Sequence, residues 1–299
     1  MRPTPKNTKI TPHLRHLRAA NTQTHDSRKR PPSYWSFVVL LLSGAIACGP
    51  PHRTTTQPAA GVARSSDGET SSPPSAPAGV DDADLRALDV PGFLSALLFS
   101  PAGSDPRPLV VATHGAGGSP EWACEHWRQL THDRVFVLCL RGKSMGPSGG
   151  YYYPDHRALE AELLAAERAV RVAEPRVLDG SGLYAGFSQG ASMGSVMLPA
   201  HGARFPYLAL TEGFELWNLS RAKAFRTSGG RRVLFTCGTK ACQSKAQQSV
   251  RWLEQSGVGA KLDYVSGAGH TPGGEVERAL EHSLPWLVSD ESAFGLAVQ

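Results

Sequence analysis

From about residue 85 onward the chain alternates short apolar runs with longer stretches in which apolar side chains recur every three or four positions. Runs at 93–99, 108–113, 134–140, 182–185, 205–211, 232–236 and 261–265 have strand length. Several are apolar throughout, the mark of strands buried on both faces. Between them, 120–132, 156–172, 191–198, 220–226, 245–255 and 275–288 read as helices. Ser119 is a natural N-cap and Pro120 a natural first helical residue, with Trp122, Trp127 and Leu130 expected on one side of the helix that follows. In the helix at 156–172, Leu159, Leu163, Leu164, Ala165 and Val170 form the expected buried stripe. Strands alternating with helices in this way predict an α/β fold, a mostly parallel central sheet with helices on both faces, over residues 85–299. No internal repeat is visible.

The first third of the chain has neither pattern. Residues 37–47 are an apolar run, too short to span a bilayer and of the length of a signal-peptide core, preceded by a basic stretch and ending at Cys48. Residues 48–84 are rich in Pro, Thr, Ser, Ala and Gly, with too few large apolar side chains to offset the entropy of ordering, and read as a tether. Ala45 and Ala47 followed at once by cysteine resemble a bacterial lipoprotein signal, in which Cys48 is acylated and becomes the mature N-terminus; the first position of that box is usually Leu and here is Ala45. The alternative is an ordinary cleaved secretory signal over 1–47 with Cys48 incidental. Either way the expected localisation is exported, and with the lipid it is membrane-anchored in the cell envelope.

Charge changes the picture only by its location. Residues 1–47 carry eight Lys or Arg against one Asp, so with a whole-chain net of +5 the remainder sums to −2. The basic pI belongs to the leader and gives no support for a nucleic-acid partner. With export, Cys124, Cys139, Cys237 and Cys242 become an even set in an oxidising compartment. Pairing each with its sequence neighbour is the simplest of three connectivities, and buried free thiols are the alternative. No pair has zinc-ligand spacing, and no metal is implied.

The candidate chemistry gathers at Gly186-Phe187-Ser188-Gln189-Gly190, which sits between an apolar run and a small-residue-rich, helix-compatible stretch. A serine on such a strand-turn-helix has strained torsions and is pushed out at the C-terminal edge of a sheet, while the Gln189 amide at a helix N-terminus is aimed where an oxyanion would form. The run at 108–113 leads into His114-Gly115-Ala116-Gly117-Gly118, with no following Lys-Ser/Thr to make it a phosphate loop. The loop at 141–154 contains Tyr151, Tyr152 and Tyr153, expected as a substrate wall or as ordinary loop packing.

These passages resemble the nucleophile elbow and oxyanion loop of the α/β-hydrolase superfamily, in the spelling of its carboxylesterase, acyl-thioesterase and dienelactone-hydrolase-like branches. The likeness covers about residues 92–288. It implies Ser188 as nucleophile, the amides of Gln189 and Ala116 as oxyanion donors, no metal or organic cofactor, and a small-molecule ester as substrate. The base must follow Ser188 in the chain, and of His201, His270 and His282 only His270 stands in a glycine-rich loop past a strand. The aspartate usual after the strand at 232–236 is missing, since that loop reads Gly238-Thr239-Lys240-Ala241-Cys242-Gln243. The acid is then expected at Glu212, at the end of the preceding strand, with Glu215 or a Ser-His dyad as alternatives. Asp263 falls in mid-strand. The implied function is an exported serine esterase; a surface lipoprotein that uses the scaffold only to bind is the other reading, favoured by the missing aspartate.

Overall fold

The apolar runs assemble into one sheet. The computed structural model describes residues 84–147 and 149–296. The expected signal, Cys48 and the tether as far as residue 83 lie outside the described residues, while Asp84, expected to end the tether, opens a strand. The first half of the described chain contains β1 (Asp84–Leu88), β2 (Ala96–Ser100), β3 (Leu109–Thr113), α1 (Pro120–Leu130), β4 (Phe136–Cys139), β5 (Lys143–Ser144), β6 (Tyr151–Tyr152) and α2 (His156–Ala173). The second half contains β7 (Leu183–Phe187), α3 (Gln189–Met197), β8 (Tyr207–Thr211), α4 (Leu219–Thr227), β9 (Arg232–Cys237), α5 (Lys240–Gln255), β10 (Gly259–Tyr264) and α6 (Glu275–Leu287).

Eight strands form the sheet in the order β1-β2-β4-β3-β7-β8-β9-β10. From β4 to β10 every neighbour is parallel, and β2 is antiparallel to both β1 and β4. Alternation along the strands divides the core in two. Leu109 and Val111 of β3 point into a cluster with Leu159 and Leu163 of α2, Ala191 of α3, Phe225 of α4 and Leu253 of α5. Val110 and Ala112 point into another with Cys124 and Trp127 of α1 and Leu280, Leu284 and Leu287 of α6. Each fully buried Val or Leu contributes about 1.5–3 kcal/mol, so helices on both faces are what make an all-apolar strand stable.

Ser119 caps α1 through its side chain, which accepts from the Trp122 amide, and Pro120 opens the helix. Within α1, Trp127 and Leu130 are buried, but Trp122 is 40% exposed. Five residues from Trp127 is about 140° around a helix, which carries Trp122 off the buried stripe. Leu164 likewise is only half-buried, one residue around from Leu163. Helix α5 begins at Lys240, five residues before its expected start, because Thr239 caps it by accepting from the Cys242 amide. The loop expected at 141–154 contains the short antiparallel β5–β6 hairpin. Among the described residues no helix is long and apolar enough to cross a membrane.

Candidate active site

Ser188 lies between β7 and α3 with φ 50° and ψ −107°. Positive φ in a non-glycine residue costs about 1–3 kcal/mol and persists only where the surroundings over-determine it. Those surroundings are tight. A Cβ added at Gly186 would lie 2.6 Å from the Ala191 backbone, and one at Gly190 would lie 2.4 Å from Thr113 Oγ1. The Ser188 amide donates to Thr211 O at the end of β8. Beneath the turn, fully buried Tyr184 donates from its hydroxyl to Gly190 O (2.7 Å) and accepts from Thr113 Oγ1 (2.9 Å).

One strand over, Glu212 repeats the device. It follows the last residue of β8 with φ 51°, and its amide donates to Thr236 O of β9. Its side chain is 1% exposed, whereas that of His270 is 53% exposed. His270 reaches this edge from the segment between β10 and α6. Its Nδ1 lies 3.2 Å from Glu212 Oε2 and its Nε2 lies 2.9 Å from Ser188 Oγ. With a neutral imidazole, Nδ1–H donates to the carboxylate and Nε2 is left to accept the serine proton. Glu215, the alternative acid, is exposed, and its amide donates to Ser195 Oγ.

Glu212 has three further donors. The amides of Gly238 and Thr239 both donate to Oε1, and the Thr239 hydroxyl donates to Oε2 at 3.0 Å. Sequence reasoning missed Gly238 and Thr239. The spacing Thr239-x-x-Cys242 is a helix-cap signal, yet nothing in it says that the same hydroxyl serves a carboxylate 27 residues away.

The loop after β3 packs directly against Ser188. A Cβ on Gly115 would sit 3.0 Å from Ser188 Cβ, and the Gly190 amide donates to His114 O. The amides of Ala116 and Gln189 donate to no acceptor among the described residues, which leaves both available to an oxyanion. Tyr151 braces this loop: Gly117 N donates to Tyr151 O, and Tyr151 N donates to Gly118 O. Its phenol accepts from Arg141, whose guanidinium lies 5.1 Å from the ring centre.

Of the three tyrosines expected as a substrate wall, Tyr151 and Tyr152 are half-buried. Tyr153 corrects that expectation. It is fully buried, stacks on His114 with ring centres 4.9 Å apart, and donates from its hydroxyl to Leu140 O. Burial pushes its phenol well above the usual tyrosine range. Its amide donates to the Gln189 side chain (2.8 Å), so it is a strut between the hairpin and the elbow.

Both cysteine pairs are joined in the local pattern. Cys124–Cys139 clips α1 to β4, and Cys237–Cys242 closes the turn between β9 and α5. Glu212, Cys237 and Cys242 lie close enough together to suggest a metal set, but both sulfurs are spent in the disulfide and offer no thiolate. A cavity of about 640 Å³ beside α6, with Arg134, Lys261, Arg278 and His282 in its lining, contains none of Ser188, Glu212 and His270.

No model of a known protein family matches the chain. No curated protein matches it either. Solved structures do. A thermophilic, thermostable carboxylesterase cloned from a metagenomic library is 17% identical, over 71% of this chain and 90% of that one, with a TM-score of 0.51. The fluorophosphonate-binding serine hydrolase F of Staphylococcus aureus, with substrate bound, is 10% identical over 70% and 99%, at 0.52. A dienelactone-hydrolase-like promiscuous phosphotriesterase from metagenomic libraries is 18% identical over 71% and 99%, at 0.54. At these identities the likeness is one of architecture, and together with the sheet order and the elbow it shows that this chain has the α/β-hydrolase fold.

Proposed function

We propose that the chain is a serine hydrolase that cleaves a carboxylic ester or thioester through an acyl-serine intermediate. The observation that carries this reading is the continuous hydrogen-bond chain from Ser188 Oγ through His270 to the buried carboxylate of Glu212. Ser188 Oγ attacks the acyl carbon as its proton passes to His270 Nε2. Glu212 stabilises the imidazolium that results. The carbonyl oxygen, now an oxyanion, takes the amides of Gln189 and Ala116, each such donor being worth about 2.7–4 kcal/mol. His270 then gives its proton to the leaving alkoxide or thiolate. A water, deprotonated by the same nitrogen, attacks the acyl-serine and releases the acid.

The neighbours support the same class: by their names one is a carboxylesterase, one binds fluorophosphonates and one resembles dienelactone hydrolases. The pure binding scaffold drew its support from the missing aspartate, and Glu212, in hydrogen-bonding contact with His270, takes that support away. Export belongs to the same proposal. Two disulfides suit an oxidising compartment, and acylated Cys48 would hold the domain at a membrane. The test is labelling with a serine-reactive fluorophosphonate, the adduct located by mass spectrometry, with Ser188→Ala as control. A stoichiometric adduct on Ser188 is expected; well-folded protein that takes no label would overturn the reading.

A further inference from the structure

The turn between β9 and α5 has no acid to contribute, yet it touches both the proposed acid and the loop that bears the proposed base. Toward Glu212 it gives the Gly238 and Thr239 amides and the Thr239 hydroxyl. Toward the His270 loop it gives two carbonyls: Cys237 O accepts from Val265 N (2.8 Å) and Gly238 O accepts from Gly269 N (3.2 Å). The approach at Gly238 is close, since a Cβ there would lie 2.3 Å from Gly269 O. The other backbone hydrogen bonds of the His270 loop are internal, Ala268 N to Val265 O and Thr271 N to Gly269 O, Gly267 and Gly269 both stand at φ near +80°, and the half-exposed histidine ring lies 5.2 Å from that of Phe187.

The Thr239 hydroxyl has a single proton. The Cys242 amide donates to its oxygen, so the proton is directed to Glu212 Oε2, and helix cap and carboxylate share one group. Cys242 is also joined to Cys237 across the turn. The disulfide therefore closes a six-residue ring whose edges are the end of β9 and the first turn of α5, with Gly238, the residue of greatest backbone freedom, inside it.

We propose that Thr239 and the Cys237–Cys242 disulfide are positioning residues for the reaction. They hold the Glu212 carboxylate and the His270 loop in one frame, so that the imidazole points at Ser188. This rests on the proposed function, and it is specific to that disulfide: Cys124–Cys139 lies under α1 and contacts neither Glu212 nor the His270 loop.

The test uses the full chain with p-nitrophenyl acetate, together with the low-field proton resonance of His270 Nδ1–H, which reports the bond to Glu212 without any turnover. Thr239→Val is expected to lower kcat about tenfold, the size of one charge-assisted hydrogen bond lost, with KM unchanged. Thr239→Ser, which keeps the hydroxyl, is expected to recover most of it. Replacing both Cys237 and Cys242 by Ser is expected to lower kcat similarly and to broaden or remove the low-field resonance. Replacing both Cys124 and Cys139 by Ser is expected to lower the melting temperature and leave both readouts alone. Wild-type kcat and an intact resonance in Thr239→Val and in the Cys237/Cys242 variant would overturn the proposal while leaving the hydrolase reading intact. If the second variant does not fold, the Thr239 pair alone decides. Wild-type protein that cleaves no ester would sink the hydrolase reading, and the resonance would still say whether the turn holds the Glu212–His270 pair.

Discussion

His114 and His270 stand in loops of nearly the same composition on the same edge of the sheet, His114-Gly115-Ala116-Gly117-Gly118 after β3 and Gly267-Ala268-Gly269-His270 after β10. His114 is fully buried, with Nδ1 2.8 Å from Gly115 O, Nε2 3.1 Å from Arg141 O and its ring stacked on Tyr153. Burial lowers its pKa. Both its nitrogens are buried against carbonyl oxygens, so it can shape the loop after β3, but the one lone pair of the neutral ring is closed off from a substrate proton. His270 has one nitrogen against a buried carboxylate and the other against a hydroxyl, and half its surface is open. The pair teaches that a glycine-rich loop brings a histidine to this edge, while the atoms facing its two nitrogens decide whether it can work as a base.

The largest break in that contrast is His270→Gln, expected to lower ester turnover about 10⁶-fold with the melting temperature little changed, because the side chain is half-exposed. Glu212→Gln is expected to cost about 10⁴-fold in kcat, through loss of the imidazole's orientation and charge partner. Unchanged rates would dismiss Glu212 as the acid. His114→Ala should act the other way round. It leaves a cavity beside Tyr153 and should cost about 2–4 kcal/mol in denaturant-unfolding stability, with a smaller loss in kcat than either substitution at the His270 pair.

The smallest effect is a pH slope. His114 and His126 both have pKa values lowered by burial, although Glu277, 3.0 Å from His126, pulls that one back up. Well above pH 6.5, the ordinary histidine value, both rings are neutral folded or unfolded. As pH falls below that value the unfolded chain binds protons that the folded rings refuse. Stability therefore falls with pH, by at most about 1.4 kcal/mol per unit for each ring, until the depressed folded values are reached. Urea midpoints between pH 8 and pH 5 would show this, and the slope should shrink in His114→Ala.

Most of the fold could be read from the chain because its signals are local. Apolar runs with breaks, Ser119-Pro120 and the elbow spacing each carry their own structural reason. The expectation at Glu212 came from the resemblance, which admits an acid at the end of the preceding strand, and it left Glu215 and a dyad open; the approach of Glu212 to His270 is a contact between residues 58 apart. Three features were not legible, each for want of a long-range contact. Tyr153 turns inward because Tyr151 pairs with Gly117 and Gly118, more than 30 residues earlier. Strand β1 is short and exists by pairing with β2. The early start of α5 was obscured because the turn before it was read as the place for an acid, whereas Thr239 caps the helix and serves Glu212 as well.

The strand order has a consequence for how activity would be lost on heating. Ser188 and Glu212 end two adjacent central strands, β7 and β8, whereas His270 hangs from β10, an edge strand whose six residues are all only half-buried. Edge elements open at lower free energy than the centre of a sheet. Fraying of β10 would thus carry the histidine away while Ser188 and the Glu212 carboxylate stay in place, and inactivation should set in below the global melting transition. Hydrogen exchange would show amides of β10 opening in a sub-global unit separate from those of β7 and β8. The site would then be disarmed by losing cooperativity at one margin, well before the chain loses its fold.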